Sequence, residues 1–394
     1  MLRNSIAFVR HKPGISMGFL LAVNSLLLGI WVAALPAIKL RLGFTDGSLG
    51  LSLLLSPLGA LSGVLLSSRL FSRVPVGKWL VTGNILICLL YVVQVTAVYR
   101  LLFWAALFAT GFIGLCNGVA VNAVIDVIEK RYQRRIMSSC HGMYSLGGGV
   151  SAGLAFIFYS LHLPAPYQIG IMAAAVIAVI AGLRTHLVSY TQRIHSGSSL
   201  AAPPASLLGL AFICFVTFMG EGSIADWSAI YLRESLHSTA ALASLGFAGF
   251  SVMMAFGRLN GDALVPKTGA RKIVILGSLV AAGGFLLAVS LPFRATAIAG
   301  FTIVGLGFSC IVPILFSAAA NVRGVSPAMG IASITSGGLI GFLFGPSIIG
   351  MLSEKLNLAA GLSLVLLLAL ASSLVGARNK FLAVDTNAPF VELT

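Results

Sequence analysis

The chain has 394 residues, of which 58% are hydrophobic and only 9% charged, against about 45–50% apolar and 25% charged in soluble domains. That balance excludes a disordered chain, a coiled coil and a soluble enzyme. The net charge of +15, from 25 Lys and Arg against 10 Asp and Glu, falls between apolar stretches and calls for no nucleic-acid partner.

Arg3, Arg10 and Lys12 precede an apolar run from Ile15 to Ile38. This superficially resembles a signal peptide, but the run is too long and lacks a small-x-small cleavage site, so it reads as a retained first transmembrane helix. Further along, stretches free of Asp, Glu, Lys and Arg follow one another at 47–68, 79–99, 101–125, 136–183, 194–220, 235–257, 273–293, 295–322, 324–353 and 356–377. A helix needs about 20 residues to cross the hydrocarbon core. The stretch 136–183 is long enough for two helices, separated at Pro164 and Pro166. The seventh helix starts near Ser206 and runs through Glu221 and Asp226 to about Leu232. The expectation is an all-α membrane protein with twelve transmembrane helices.

With a cytoplasmic N-terminus, 19 of the 25 basic residues fall in inner segments, so both termini are expected in the cytoplasm. Ser196–Ser199 and Pro203–Pro204 mark a linker. The expected organisation is a six-helix bundle over 1–190, a cytoplasmic linker over 191–205 and a second six-helix bundle over 206–394. Weak echoes relate the halves: Trp31 to Leu35 with Trp227 to Tyr231, and Ser145 to Gly148 with Thr335 to Gly338. They suit two pseudo-symmetric bundles, an arrangement used by transporters. Gly149/Gly153 and Gly337/Gly341/Gly345 have the small-xxx-small spacing of close helix contacts.

The five cysteines stand apart in apolar stretches, and no Walker, dinucleotide-binding or nucleophile-elbow motif occurs. No metal, cofactor or catalytic set is therefore expected, and the chain is not expected to be an enzyme.

An ionisable group inside a span is costly and becomes a functional candidate. Glu221 lies near the middle of the seventh helix and is the first candidate for proton or cargo coupling; a hydrogen-bonded structural carboxyl is the plain alternative. Asp226 lies five residues on, about 140° around the helix, which places it on another face, aligned with Arg233. Trp31, Trp227 and Tyr231 are candidates for the cavity wall, Tyr231 equally for an interfacial aromatic belt. In the fourth helix Asn122, Asp126 and Glu129 form a polar stripe, with Asp126 either in a helix-end ion network or an inner gate. Asn24, Asn84 and Asn117 are amides that need partners in lipid. His141 is either a packed histidine or a proton carrier.

With these residues on view, the sequence resembles the major facilitator superfamily across essentially all twelve spans. The second half loosely carries the family's loop signature as Gly257-Arg-Leu-Asn-Gly-Asp262 followed by Pro266 to Lys272; in the first half Gly63 starts the pattern, but Ser67 and Ser68 replace its acid and base. Glu221 to Tyr231 and His141 to Gly148 are similar to a bacterial inner-membrane branch near the fucose-permease-type sugar:proton symporters. The resemblance implies a secondary transporter without covalent chemistry, taking a small polar solute by alternating access, with a proton as coupling ion and the lipid bilayer as surroundings. It implies a multi-pass protein of the bacterial inner membrane, working as a monomer. Arg258, Asp262, Arg271 and Arg323 become gating residues, Asp262 paired with Arg258, Arg323 or a nearby helix N-terminus. Proton-antiport export of drugs or metabolites is the alternative, favoured by a more apolar cavity with one acidic group. A transport-inactive receptor or scaffold is the other alternative.

Overall fold

The computed structural model describes residues 12–132, 136–193, 202–322 and 324–382. The first six spans are Lys12–Leu42 (α1), Asp46–Leu53 continued by Leu55–Arg73 (α2), Val76–Thr96 (α3), Arg100–Tyr132 (α4), Met137–Ser160 (α5) and Ala165–Val188 (α6). The second six are Leu208–Ile230 (α7), Ala240–Thr268 (α8), Ala270–Ser290 (α9), Arg294–Phe308 continued by Ile311–Ala320 (α10), Pro327–Lys355 (α11) and Leu358–Arg378 (α12). Eleven of the twelve have the length and apolarity to cross a membrane. The twelfth, α5, has 24 residues and no charged side chain, its apolarity diluted by serines, His141 and Gly147–Gly149. The described residues contain no strand. Helices suit this setting because they satisfy every backbone polar group internally where no water is at hand.

Several helices overrun the charge-free windows. α4 continues past Asp126 to Tyr132, and α8 continues past Arg258 to Thr268. A charged residue does not end a helix when its side chain finds a partner, so Arg258 belongs to the span and not to the following loop. This corrects the expectation from the loop signature. The linker segment 194–201 lies outside the described residues.

The two sets of six helices repeat one packing plan. In the first, α1 packs on α5 and α6, α2 on α4, and α3 on α4 and α6; in the second, α7 packs on α11 and α12, α8 on α10, and α9 on α10 and α12. Across the halves, α5 meets α8 and α2 meets α11.

The repeat reaches individual hydrogen bonds, with partners 194 residues apart. Arg100, opening α4, donates to the carbonyls of Leu42 (2.9 Å) and Gly43 (2.5 Å); Arg294, opening α10, donates to Leu236 (3.1 Å) and His237 (2.7 Å). Gly43 and His237 both have positive φ, 65° and 49°. Only a left-handed residue lets the chain leave the helix and present its carbonyl to the arginine. Thr45 then caps α2, and Thr239 caps α8 in the same way. This register pairs Trp31 with Ala225, correcting the sequence echo that set Trp31 beside Trp227.

The same register explains two close crossings. A Cβ on Gly111 of α4 would collide with the Ser56 carbonyl of α2, and one on Gly305 of α10 with the Phe250 carbonyl of α8. Backbones this close gain dispersion contacts that lipid cannot supply. Gly111→Val is expected to lower stability by about 1–3 kcal/mol through overpacking, read as a lower melting temperature in detergent. Gly118→Val on the same helix has no atom within 4 Å of its Cβ and should melt like the parent. Equal melting of all three proteins would contradict the close crossing.

Candidate functional site

The α1–α2, α7–α8 and α11–α12 connections share one end of the molecule, the loop end; the α6–α7 connection lies at the opposite, linker end. At the loop end the halves are pinned together. Lys39 of α1 is 8% exposed and its Nζ lies 2.5 Å from both Asp46 of the first half and Glu234 of the second. The Ser353 hydroxyl of α11 donates to Asp46, Thr45 donates to Glu354 at 3.2 Å, and Ser347 donates to the Gly50 carbonyl at 2.8 Å. Gly50 lies against the backbone of Pro346, Ser347 and Gly350, leaving no room for a side chain.

Further from this seal α2 and α11 diverge, with a recess of about 360 Å³ between Pro57, Leu61, Ser336, Leu339, Ile340 and Leu343. α5 and α8 stay together, Gly142 against Leu259 and Gly149 against Val252.

Between the halves lies a cavity of about 370 Å³, lined from α1, α2, α3, α4, α5, α7, α8 and α11. Its walls are mostly apolar and aromatic, including Trp31, Tyr91, Tyr144, Phe247, Phe250 and Phe342. Trp31 and Tyr91 meet edge to face at 6.2 Å between centroids. A volume in the hundreds of cubic ångströms, apolar walls and a few polar groups are the ordinary features of a small-molecule site.

The charged centre joins three helices. Arg258 Nη2 of α8 lies 3.0 Å from Glu221 Oε1 of α7, and Arg258 Nη1 donates to the Ser145 hydroxyl of α5 at 3.0 Å. Both charged side chains are less than one-fifth exposed. The guanidinium thus holds a carboxylate of its own half and a hydroxyl of the other. Glu221 is not the isolated acid expected from its depth; α8 delivers its counter-charge. On the first-half wall Gln94 donates to Thr110 at 2.6 Å.

Asp226 lines the same cavity as Glu221, correcting the inference that 140° must separate them. The residues between them on this arc, Gly222 and Ala225, also line it; their small side chains let the cavity wrap around α7. Arg233, the partner expected for Asp226, donates to the Ser238 carbonyl at 2.6 Å instead. Among the described residues Asp226 has no hydrogen-bond or ion-pair partner.

The other predicted residues are scattered. Trp31 lines the cavity, but Trp227 is fully buried against Gly350. Tyr231 donates to the Ala288 carbonyl at 3.1 Å and meets the Phe301 edge, so it packs within the second half and belongs neither to the cavity nor to an exposed belt. His141 is exposed one turn from Ser145, outside the cavity wall but within electrostatic reach of Arg258. Asn24 is half-buried on α1 and does not line the cavity. Asn117 donates to Asn84 at 3.0 Å, an amide pair joining α4 to α3. Asn122 is exposed, and Asp126 pairs with Lys130 at 2.8 Å on the same exposed helix end. Glu129 accepts from the backbone N–H groups of Ile136 (2.5 Å) and Met137 (2.8 Å), capping α5. Arg271 donates to the Asn379 carbonyl at 2.8 Å. The Asp262 side chain and Arg323 lie outside the described residues.

Tyr91, Tyr144, Gln94 and the Lys39 cluster escaped the sequence reading. One signal was available: Asp46, Glu234 and Glu354, three of only ten acids, all fall in segments assigned to the loop end.

Comparison with known proteins converges on the same architecture. Residues 17–322 match the family model of the Major Facilitator Superfamily. An uncharacterised MFS-type transporter of Yersinia pestis is 34% identical over 375 residues, covering 92% of this chain and 96% of that protein. The membrane protein MosC of Rhizobium meliloti is 29% identical over 360 residues, 89% of this chain and 86% of that one. A solved bacterial homologue of the human lysosomal transporter Spinster, in an inward-facing and occupied conformation, superposes with a TM-score of 0.67 at 15% identity, over 94% of this chain and 97% of that one. Twelve helices in two repeated halves around a shared cavity, together with these matches, place this multi-pass membrane protein in the major facilitator superfamily: it is a transporter and not an enzyme.

Proposed function

We propose that the protein is a proton-coupled secondary transporter that moves a small polar solute by alternating access. The bundles 1–190 and 206–394, joined by the linker 191–205, rock about the central cavity. One observation carries this reading: Arg258 joins Glu221 to Ser145 across the boundary between the halves. A proton on Glu221 removes the anion that holds the guanidinium, freeing Arg258 to leave Ser145 or to meet cargo. Protonation then bears on the contact that must change when the halves rock, which is what coupling requires. The seal at the loop end and the divergence of α2 from α11 beyond it support a state closed on one side.

The basic-residue bias supports a cytoplasmic linker end in a bacterial inner membrane. Single cysteines at Ser198 and Thr394 are expected to resist a membrane-impermeant thiol reagent added outside intact cells, whereas one at Leu163 should react. Outside labelling at Ser198 would reverse the orientation. The segments similar to the fucose-permease-type branch supply Tyr144, Ser145, Glu221 and Asp226 to the cavity wall, which supports symport. The apolar character of the remaining wall supports the second reading, export of a metabolite or drug in exchange for protons.

The test is uptake into proteoliposomes under an imposed pH gradient, screened across sugars, sugar acids, amino acids and amphipathic cations. Accumulation that collapses when the gradient is dissipated is the expected result. Gradient-independent equilibration would remove the coupling, and no movement of any solute would favour a receptor or scaffold.

A further inference from the structure

Three features converge on Asp226. First, one of the two cavity acids is unpaired. Arg258 is taken by Glu221, and three loop-end cations are engaged elsewhere: Lys39 by Asp46 and Glu234, Arg233 by the Ser238 carbonyl, and Arg294 by the Leu236 and His237 carbonyls. Asp226 lines the cavity with no partner among the described residues. An acid without a partner in an apolar, membrane-embedded site keeps its charge only when a counter-charge enters with the cargo.

Second, the cavity around that carboxylate is aromatic. Trp31 and Tyr91, which meet edge to face, share its wall, and Tyr91 lies within electrostatic reach of Asp226. Ring faces attract cations, and more strongly where water is excluded. Third, the apolar recess between α2 and α11 shares Pro57 and Leu339 with the cavity, so apolar surface continues beyond it.

We infer that Asp226, with Trp31 and Tyr91, forms a cation subsite, and that the cargo is an organic cation carrying an apolar portion. This rests on the reading of the cavity as the cargo site and takes the second of the two cargo readings, a metabolite or drug, over the small polar solute. The charge of the cargo would sit on Asp226 and its apolar portion against Phe247, Phe342 and Leu339. The acid bound to Arg258 and the acid that meets the cargo are then different residues. In the first half the positions equivalent to Glu221, Asp226 and Arg258 in the 194-residue register are Leu27, Val32 and Val64, so the second half alone supplies the charge.

The experiment is equilibrium binding of radiolabelled tetraphenylphosphonium to the purified full-length protein in detergent, with radiolabelled tetraphenylborate, an anion of nearly the same shape, measured in separate samples. The wild type should bind the cation and not the anion. Asp226→Asn should weaken binding by about tenfold or more, the scale of a lost charged contact, while Asp226→Glu should recover most of the affinity. Equal binding by wild type and a folded Asn variant, equal preference for the anion, or no cation binding by the wild type would overturn the inference. The cation–anion comparison on the wild type decides the matter even if the Asn variant fails to fold. Gradient-driven transport of a neutral or anionic solute without cation binding would sink this subsite and leave the transporter reading intact. Cation binding without any transport would do the reverse.

Discussion

Glu221→Gln is expected to abolish accumulation driven by a pH gradient while leaving some cargo binding or exchange. Glutamine keeps the size and one acceptor of the side chain but cannot gain and release a proton. It also leaves Arg258 without its anion. Removing one partner of a buried, hydrogen-bonded charge pair costs about 2–5 kcal/mol in comparable settings, so gradient-driven uptake should fall by about 100-fold. Arg258→Gln should be as damaging, because it strands Glu221 and also breaks the link to Ser145. The double variant Glu221→Gln/Arg258→Gln removes both charges and should fold better than either single variant without regaining coupled transport. A purely structural ion pair predicts otherwise: each single variant would lose folded yield together with uptake, and the double variant would regain gradient-driven uptake. Full gradient-driven uptake by a well-folded Gln variant would therefore move the coupling proton to Asp226.

Breaking the loop-end seal should be the second large effect. Lys39 separates two carboxylates, each 2.5 Å from its Nζ. Lys39→Gln leaves Asp46 and Glu234 facing one another across the halves with no cation between them, and repulsion replaces attraction. Gly50→Leu acts by volume, because its side chain would meet the Pro346, Ser347 and Gly350 backbone. Both should shift the population toward a state open at this end, by about tenfold for each 1.4 kcal/mol removed from the seal. Spin labels at Leu40 and Leu356, exposed positions on opposite halves, would read this as a longer-distance population. An unchanged distance distribution in both variants would show that the seal does not hold the closed state. High salt should weaken the effect of Lys39→Gln more than that of Gly50→Leu, because screening acts on charges and not on volume.

The number and class of the elements follow from composition and hydropathy alone. Transfer of a long apolar segment into lipid is a local property, summed over about 20 consecutive residues, so the spans and the Pro164–Pro166 turn were legible without any partner. The depth of Glu221 followed from helical rise alone. The repeat was only faintly legible, because packing conserves crossings and caps more closely than residue names: Arg100 and Arg294 reveal the 194-residue register through the carbonyls they hold, whereas Trp31 and Trp227 suggested one two residues out. What decided the site was tertiary. Arg258 looked like part of a loop signature until α8 carried it beside Glu221, 37 residues away in sequence. Asp226 looked destined for another face until Gly222 and Ala225 let the cavity wrap around α7. Lys39 joins Glu234 across 195 residues. A charge declares its depth from sequence, but its partner comes from another helix, and only the packing of the two halves chooses which one.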